Sequence, residues 1–314
     1  YRMFYALPEF ATKSWVIVNA LFWMAKFFVW QLSKENPDYL VFIKDAKGDN
    51  FRHQIYADYK ATRDKMPDNL KSQIALIEEM IAKMWIEIIE ISGFEADDVI
   101  WTLATKLGDN IENEVFILTW DKDLFSLTRQ NVFIYDTQKQ KIYDDVKARE
   151  KFEVDAPKII DYLAIVWDSS DNIPGIAGFW PKKAVDLLNK YESIEDVFVH
   201  IEDSDFPLTW KTLEKLKEGR EMWILSKKLA TINKNVEIPW FDIDNFEFDK
   251  KSSLNSDIID FFKTYEFNSL IPTELQDKQK TIQDLDLKIE IVADDSSLEN
   301  LKTLLKNESQ IILD

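Results

Sequence analysis

Gly93-Phe94-Glu95-Ala96-Asp97-Asp98-Val99-Ile100 is the stretch from which the rest of the chain is read. Three carboxylates fall within four residues, and Val99, Ile100, Leu103, Ala104 and Leu107 follow at helical spacing. The pattern predicts an amphipathic helix with Ser92 and Gly93 in the loop before it and the acids in its first turn. A helix dipole favours an acid there, and one would suffice. Three repel one another and raise each other's pKa unless a cation neutralises them. A complemented helix end and a metal site both fit this stretch taken alone.

The same feature recurs on either side. Residues 114–119 predict a buried strand with Asp121 and Asp123 directly after it. Residues 39–43 predict another, ending at Asp45, and the apolar run 162–166 precedes Asp168 and Asp171. In open α/β sheets ligands bind beyond the carboxyl ends of the strands, so these acids are expected on one rim. Hard oxygen ligands in this number suit Mg²⁺ or Mn²⁺ and chemistry on phosphate esters. Helices are expected over 18–32 and 67–83, a short strand over 87–91, a strand pair at 131–136 and 141–143, and mainly helix after 157.

Residues 93–102, 119–124 and 161–174 resemble the five-prime nuclease domain of bacterial DNA polymerase I. So do Phe51-Arg52-His53, Tyr59-Lys60-Ala61-Thr62-Arg63 and residues 175–184, in order and in register. The resemblance implies an α/β fold: a PIN-like, mainly parallel sheet flanked by helices, followed by a helical helix-hairpin-helix subdomain. It implies a division at 1–155 and 156–272, a linker at 273–284, and the cut start of a three-prime exonuclease-like domain at 285–314. A first strand carrying one more ligand is expected to be missing before Tyr1, leaving two unpaired sheet edges and a chain that expresses poorly.

The implied activity is hydrolysis of DNA at five-prime ends, flaps and nicks, with two or more Mg²⁺ or Mn²⁺ ions. By position, the resemblance makes Asp45, Glu95, Asp97, Asp98, Asp121 and Asp123 the tighter metal region, and Asp168 and Asp171 the second. Lys60 and Arg63 would engage the scissile phosphate, beside the catalytic carboxylates Asp97 and Asp121. Arg2, Arg52, Gly175, Gly178 and Lys182 would complete the DNA contacts, the glycines in a hairpin whose backbone N–H groups hold a duplex phosphate. The rival reading is a non-catalytic module for branched DNA with an incomplete metal site.

Composition bounds these readings. A chain of 314 residues with 46% hydrophobic residues can bury a sizeable core. It has no cysteine, which excludes disulfides and thiolate metal sites and fits a reducing cytoplasm. Two histidines, His53 and His200, leave no histidine cluster for zinc or a Ser/His triad. No apolar run reaches membrane-spanning length, and a monomer is expected. The net charge of −18 opposes phosphate binding, so DNA contact is expected to be weak and salt-sensitive, through local basic clusters at 44–65 and around Lys182 and Lys183.

Glycine and tryptophan usage is anomalous. Average usage of roughly 7% predicts about 22 glycines, whereas the chain has 6 and also has 11 tryptophans. Trp15, Trp23, Trp85, Trp101, Trp120, Trp167 and Trp180 stand where the resembled family has glycine. A UGA codon decoded as glycine but translated as tryptophan is the expected cause; the alternative is true tryptophans in a degenerate homologue.

Overall fold

The computed structural model describes residues 4, 5, 8–137, 139–166, 171–176, 178–204 and 206–275, without the side chains of 31–33. Arg2, Trp167, Asp168 and the expected segments beyond 275 lie outside the described residues.

The strands are β1 (Val41–Ile43), β2 (Glu87–Ile89), β3 (Val115–Leu118), β4 (Val132–Asp136) and β5 (Lys141–Tyr143). The helices are α1 (Asn19–Lys26), α2 (Phe51–Ile55), α3 (Asp68–Lys83), α4 (Ala96–Gly108), α5 (Asp145–Phe152), α6 (Ile159–Ile165), α7 (Pro181–Lys190), α8 (Ile194–Val199), α9 (Trp210–Glu218), α10 (Arg220–Ala230) and α11 (Ser256–Thr264). The helix expected over 18–32 changes winding part-way, from α1 to a π turn at Phe27–Gln31. The apolar run before 168 belongs to α6.

One sheet was expected; the described strands form two ladders. β1 pairs parallel with β2, while β4 lies between β3, to which it is parallel, and β5, to which it is antiparallel. Helix α4 packs against both β1 and β3 and so joins the ladders. Its apolar stripe has two destinations. Val99 and Leu103 meet Ile89 in one core, while Trp101 and Ala104 meet Ile117 and Ile134 in another. That second core also contains Leu163, Leu187 and Leu216, so the helices after 156 share apolar interior with β3 and β4. Residues 1–270 form one compact unit and 271–314 a second, of which Thr273–Leu275 is described as a 3₁₀ turn. Among the described residues no helix is long and apolar enough to cross a membrane.

Candidate metal and phosphate site

Glu95 precedes α4 in extended backbone, and the acidic turn follows as expected. Its members have different fates. Asp98 is fully buried, and its carboxylate accepts from Arg52 Nη1 and Nη2, both at 2.8 Å. It also accepts from the backbone N–H of Glu95 at 3.1 Å and of Asn233 at 2.7 Å. These four donors occupy both oxygens, so Asp98, expected to be a metal ligand, is a structural anion. Arg52 is 2% exposed, donates through Nε to the Leu229 carbonyl at 3.1 Å, and sits on the Phe51 ring. It was expected on DNA; its guanidinium is instead consumed inside the protein.

Asp45, just beyond β1, accepts the Ala96 N–H at 2.8 Å, tying the strand end to the start of α4. Asp97 projects from the same turn. Burial holds its carboxyl well above the ordinary range, and Asp121, Asp45 and Glu95 push it further while Lys60 opposes them. Burial likewise raises Asp121, with Asp171 adding to the effect and the Asp123 N–H, 3.1 Å from Oδ1, countering it. Asp123 opens a 3₁₀ turn, Asp123–Leu127, directly after this contact.

The cations of the preceding segment fold onto these acids. Lys60 Nζ lies 2.5 Å from Glu95 Oε1 and 3.8 Å from Asp171 Oδ2, and Arg63 Nη2 lies 2.5 Å from Asp171 Oδ1. The Lys60 N–H donates to the Asp171 carbonyl at 3.0 Å, and Asn172 Nδ2 donates to the Asp58 carbonyl at 2.8 Å. Residues 58–63 are thus bound to 171–172. Tyr59, 3% exposed, has its hydroxyl within reach of Glu95 Oε2 at 3.2 Å and Asp171 Oδ2 at 3.3 Å. Burial, then those two carboxylates, push its phenol pKa far up, so it remains a donor. Asn50 Nδ2 holds Glu95 Oε1 at 2.7 Å. The sequence marked Tyr59 only as part of the motif at 59–63 and did not mark Asn50, because both roles depend on partners distant in the chain.

Asp45, Glu95, Asp97, Asp121 and Asp171 therefore act electrostatically on one another around the Lys60 ammonium. Among the described residues no three acids converge closely enough to hold an ion as they stand. The donor set nonetheless fits a small divalent cation: hard oxygens, mutual repulsion that raises pKa, and an ammonium already supplying positive charge.

In the hairpin between α6 and α7, Gly175 and Gly178 have φ of 59° and 77°. The Gly175 N–H donates to Ser226 Oγ at 3.0 Å and is buried, so it is not offered outward as expected. Gly178 is exposed, and a β-carbon there would stand 2.6 Å from Lys215 Nζ. Lys182 is exposed on the first turn of α7. Lys215, an exposed residue of α9, thus joins Gly178 beside this helix start.

Comparison with known proteins gives the family of the chain. Residues 1–153 match the family model of the 5′-3′ exonuclease N-terminal resolvase-like domain, and residues 154–253 match that of the 5′-3′ exonuclease C-terminal SAM fold. A 5′-3′ exonuclease of Aquifex aeolicus is 40% identical over 209 residues, which is 66% of this chain and 72% of that protein. DNA polymerase I of Caldicellulosiruptor bescii is 37% identical over 238 residues, 74% of this chain but only 27% of the polymerase. Among solved structures, T5 5′-exonuclease with bound zinc ions has a TM-score of 0.56 at 20% identity, covering 78% of this chain and 90% of that one. The catalytic core of Rad2 with DNA substrate has a TM-score of 0.53 at 16% identity, covering 86% and 87%. A resolvase-like domain, a SAM fold and relatives of this similarity place the chain in the 5′-3′ exonuclease and flap endonuclease family.

Proposed function

We propose that this chain is a divalent-metal-dependent nuclease that hydrolyses DNA phosphodiesters at five-prime ends, flaps and nicks, working with Mg²⁺ or Mn²⁺. The observation that carries the reading is the crowding of Asp45, Glu95, Asp97, Asp121 and Asp171 around Lys60. Asp45, Glu95, Asp97, Asp121 and Asp123 would hold one ion, and Asp171 with Asp168 a second. Such ions, when bound, polarise the phosphate and lower the pKa of a bound water.

The chain's own residues then have separable tasks. Lys60 and Arg63 exchange Glu95 and Asp171 for the scissile phosphate, as charge-assisted donors to an anion. Tyr59 would hold the Glu95 and Asp171 carboxylates in place for metal binding, and Asn50 that of Glu95. Arg52 and Asp98 hold the acidic turn rigid from behind. Lys182, Lys215 and the start of α7 take a phosphate of the adjoining duplex. Within a longer protein this chain would supply the five-prime nuclease of a DNA polymerase I in replication and repair, as a cytoplasmic monomer. The match to 27% and 34% of the length of two DNA polymerases I supports a place within a longer protein.

The second reading, a non-catalytic binder of branched DNA, draws support from the acids being paired with cations rather than with one another. One experiment separates the two. Cleavage of a five-prime flap should require Mg²⁺ or Mn²⁺ and stop with a chelator. Asp97→Asn and Asp121→Asn should each lower the rate by orders of magnitude while flap binding survives. Metal-independent cleavage, or full activity in both variants, would overturn the nuclease assignment. Flap binding without cleavage at any metal concentration would favour the binder.

A further inference from the structure

Two backbone turns pose a problem that their side chains do not solve. Helix α3 ends with Met84 as its last half-helical residue, followed by Trp85 at φ 59°. The Trp85 N–H donates to the Ala82 carbonyl at 3.0 Å, and the Ile86 N–H to the Ile81 carbonyl at 3.2 Å. These are the two bonds of a Schellman motif, whose left-handed residue after the cap is usually glycine. Ile81 and Ile86 are both buried, as the motif's apolar pair should be.

The second turn closes a small hairpin. Ala11 and Ile17 form an antiparallel bridge, the Thr12 N–H donates to the Val16 carbonyl at 3.0 Å, and the Trp15 N–H donates to the Thr12 carbonyl at 2.9 Å. Trp15 has φ 64°. This is a three-residue loop, a tight turn followed by a left-handed bulge residue, again a glycine position.

An L side chain is crowded in this backbone region, and a bulky one is an outlier there. Asn and Asp offset the crowding with local hydrogen bonds, an option closed to an indole ring. Nor does burial compensate: Trp15 is 88% exposed and Trp85 65%. Trp223, by contrast, is 5% exposed in the core beside Phe198. The other described non-glycine residues at positive φ are all polar. The other described tryptophans at expected glycine positions carry no such signal. Trp180 has φ −96°, Trp101 is buried within α4, and Trp23 is half-buried in α1.

We propose that residues 15 and 85 are glycine in the polypeptide the cell makes, each specified by a UGA codon that its ribosomes decode as glycine. UGA differs from the glycine codon GGA at one base, and reading UGA as tryptophan yields the sequence as written.

Peptide mass spectrometry of the protein purified from its own host decides the matter. Glycine at both 15 and 85, with tryptophan at 223, is the expected result; tryptophan at either 15 or 85 overturns the proposal. Recombinant variants give an independent readout. Trp15→Gly and Trp85→Gly should each raise Tm by a few degrees, whereas Trp223→Gly should lower it. A fall in Tm for either of the first two would remove the structural premise. Neither readout depends on nuclease activity.

Discussion

Arg52 and Asp98 show how a residue's chemistry is redirected by burial. By the resemblance, one would be a DNA-binding cation and the other a ligand in an acidic cluster. Paired at 2.8 Å with both side chains at 2% exposure or less, they are costly to separate. Removing one partner of a buried pair leaves a buried charge uncompensated and costs about 3–5 kcal/mol. Arg52→Ala should lose stability of that order in urea denaturation, while the variant that remains folded binds a flap as tightly as the parent. Weakened binding with unchanged stability would instead return Arg52 to the DNA. Arg63 differs from Arg52, since its side chain is half exposed although it is paired with Asp171.

At the scale of elements, the helix ends are the informative places. Helix α4 supplies its own cap, with the Glu95 N–H donating to Asp98. Helix α1 does not: Val18 precedes it without a capping side chain. Its first free N–H groups, those of Ala20 at 2.8 Å and Leu21 at 3.1 Å, donate to Gln73 Oε1 on α3. Gln73 Nε2 in turn donates to Asn19 Oδ1 at 2.9 Å, and both side chains are fully buried. One helix thus caps another across the core. Gln73→Ala strands two amides and one amide oxygen without solvent, at about 1–3 kcal/mol for a buried unsatisfied group. Thermal unfolding should show that loss, and Gln73→Glu should restore part of it by still accepting from both N–H groups. Equal losses in the two variants would mean that packing, not capping, is what Gln73 contributes.

At the scale of the molecule, a net charge of −18 must coexist with DNA binding. Many acids are answered internally, as by Lys44 between Glu78 and Glu90 and by Lys227 between Asp161 and Glu195. The basic residues left outward near the start of α7 then act against a repulsive background. Flap affinity should fall steeply as salt rises. Lys182→Ala and Lys215→Ala should each weaken binding on all sequences and lower the salt slope by about one. An unchanged slope in fluorescence anisotropy would take that lysine off the phosphate. The core shared by β3, β4, α6 and α7 runs from the strands into the helices that flank the hairpin.

By itself the sequence determined the elements whose signals are local. The periodic stripe after Asp98, the apolar strands before Asp45 and Asp121, and the paired strands β4 and β5 are set by neighbours a few residues apart, and they form where expected. It also raised the expectation of an acidic rim, because strand ends and helix starts gather in this class of fold. Only the tertiary structure decided which acids remain available. Asp98 is withdrawn by Arg52, 46 residues away, and Glu95 and Asp171 are bridged by Tyr59, 36 and 112 residues away. No periodicity encodes such partners. Their hydrogen bonds exist only once the core has brought their elements together, and low dielectric then makes those pairings strong enough to reassign a residue's role.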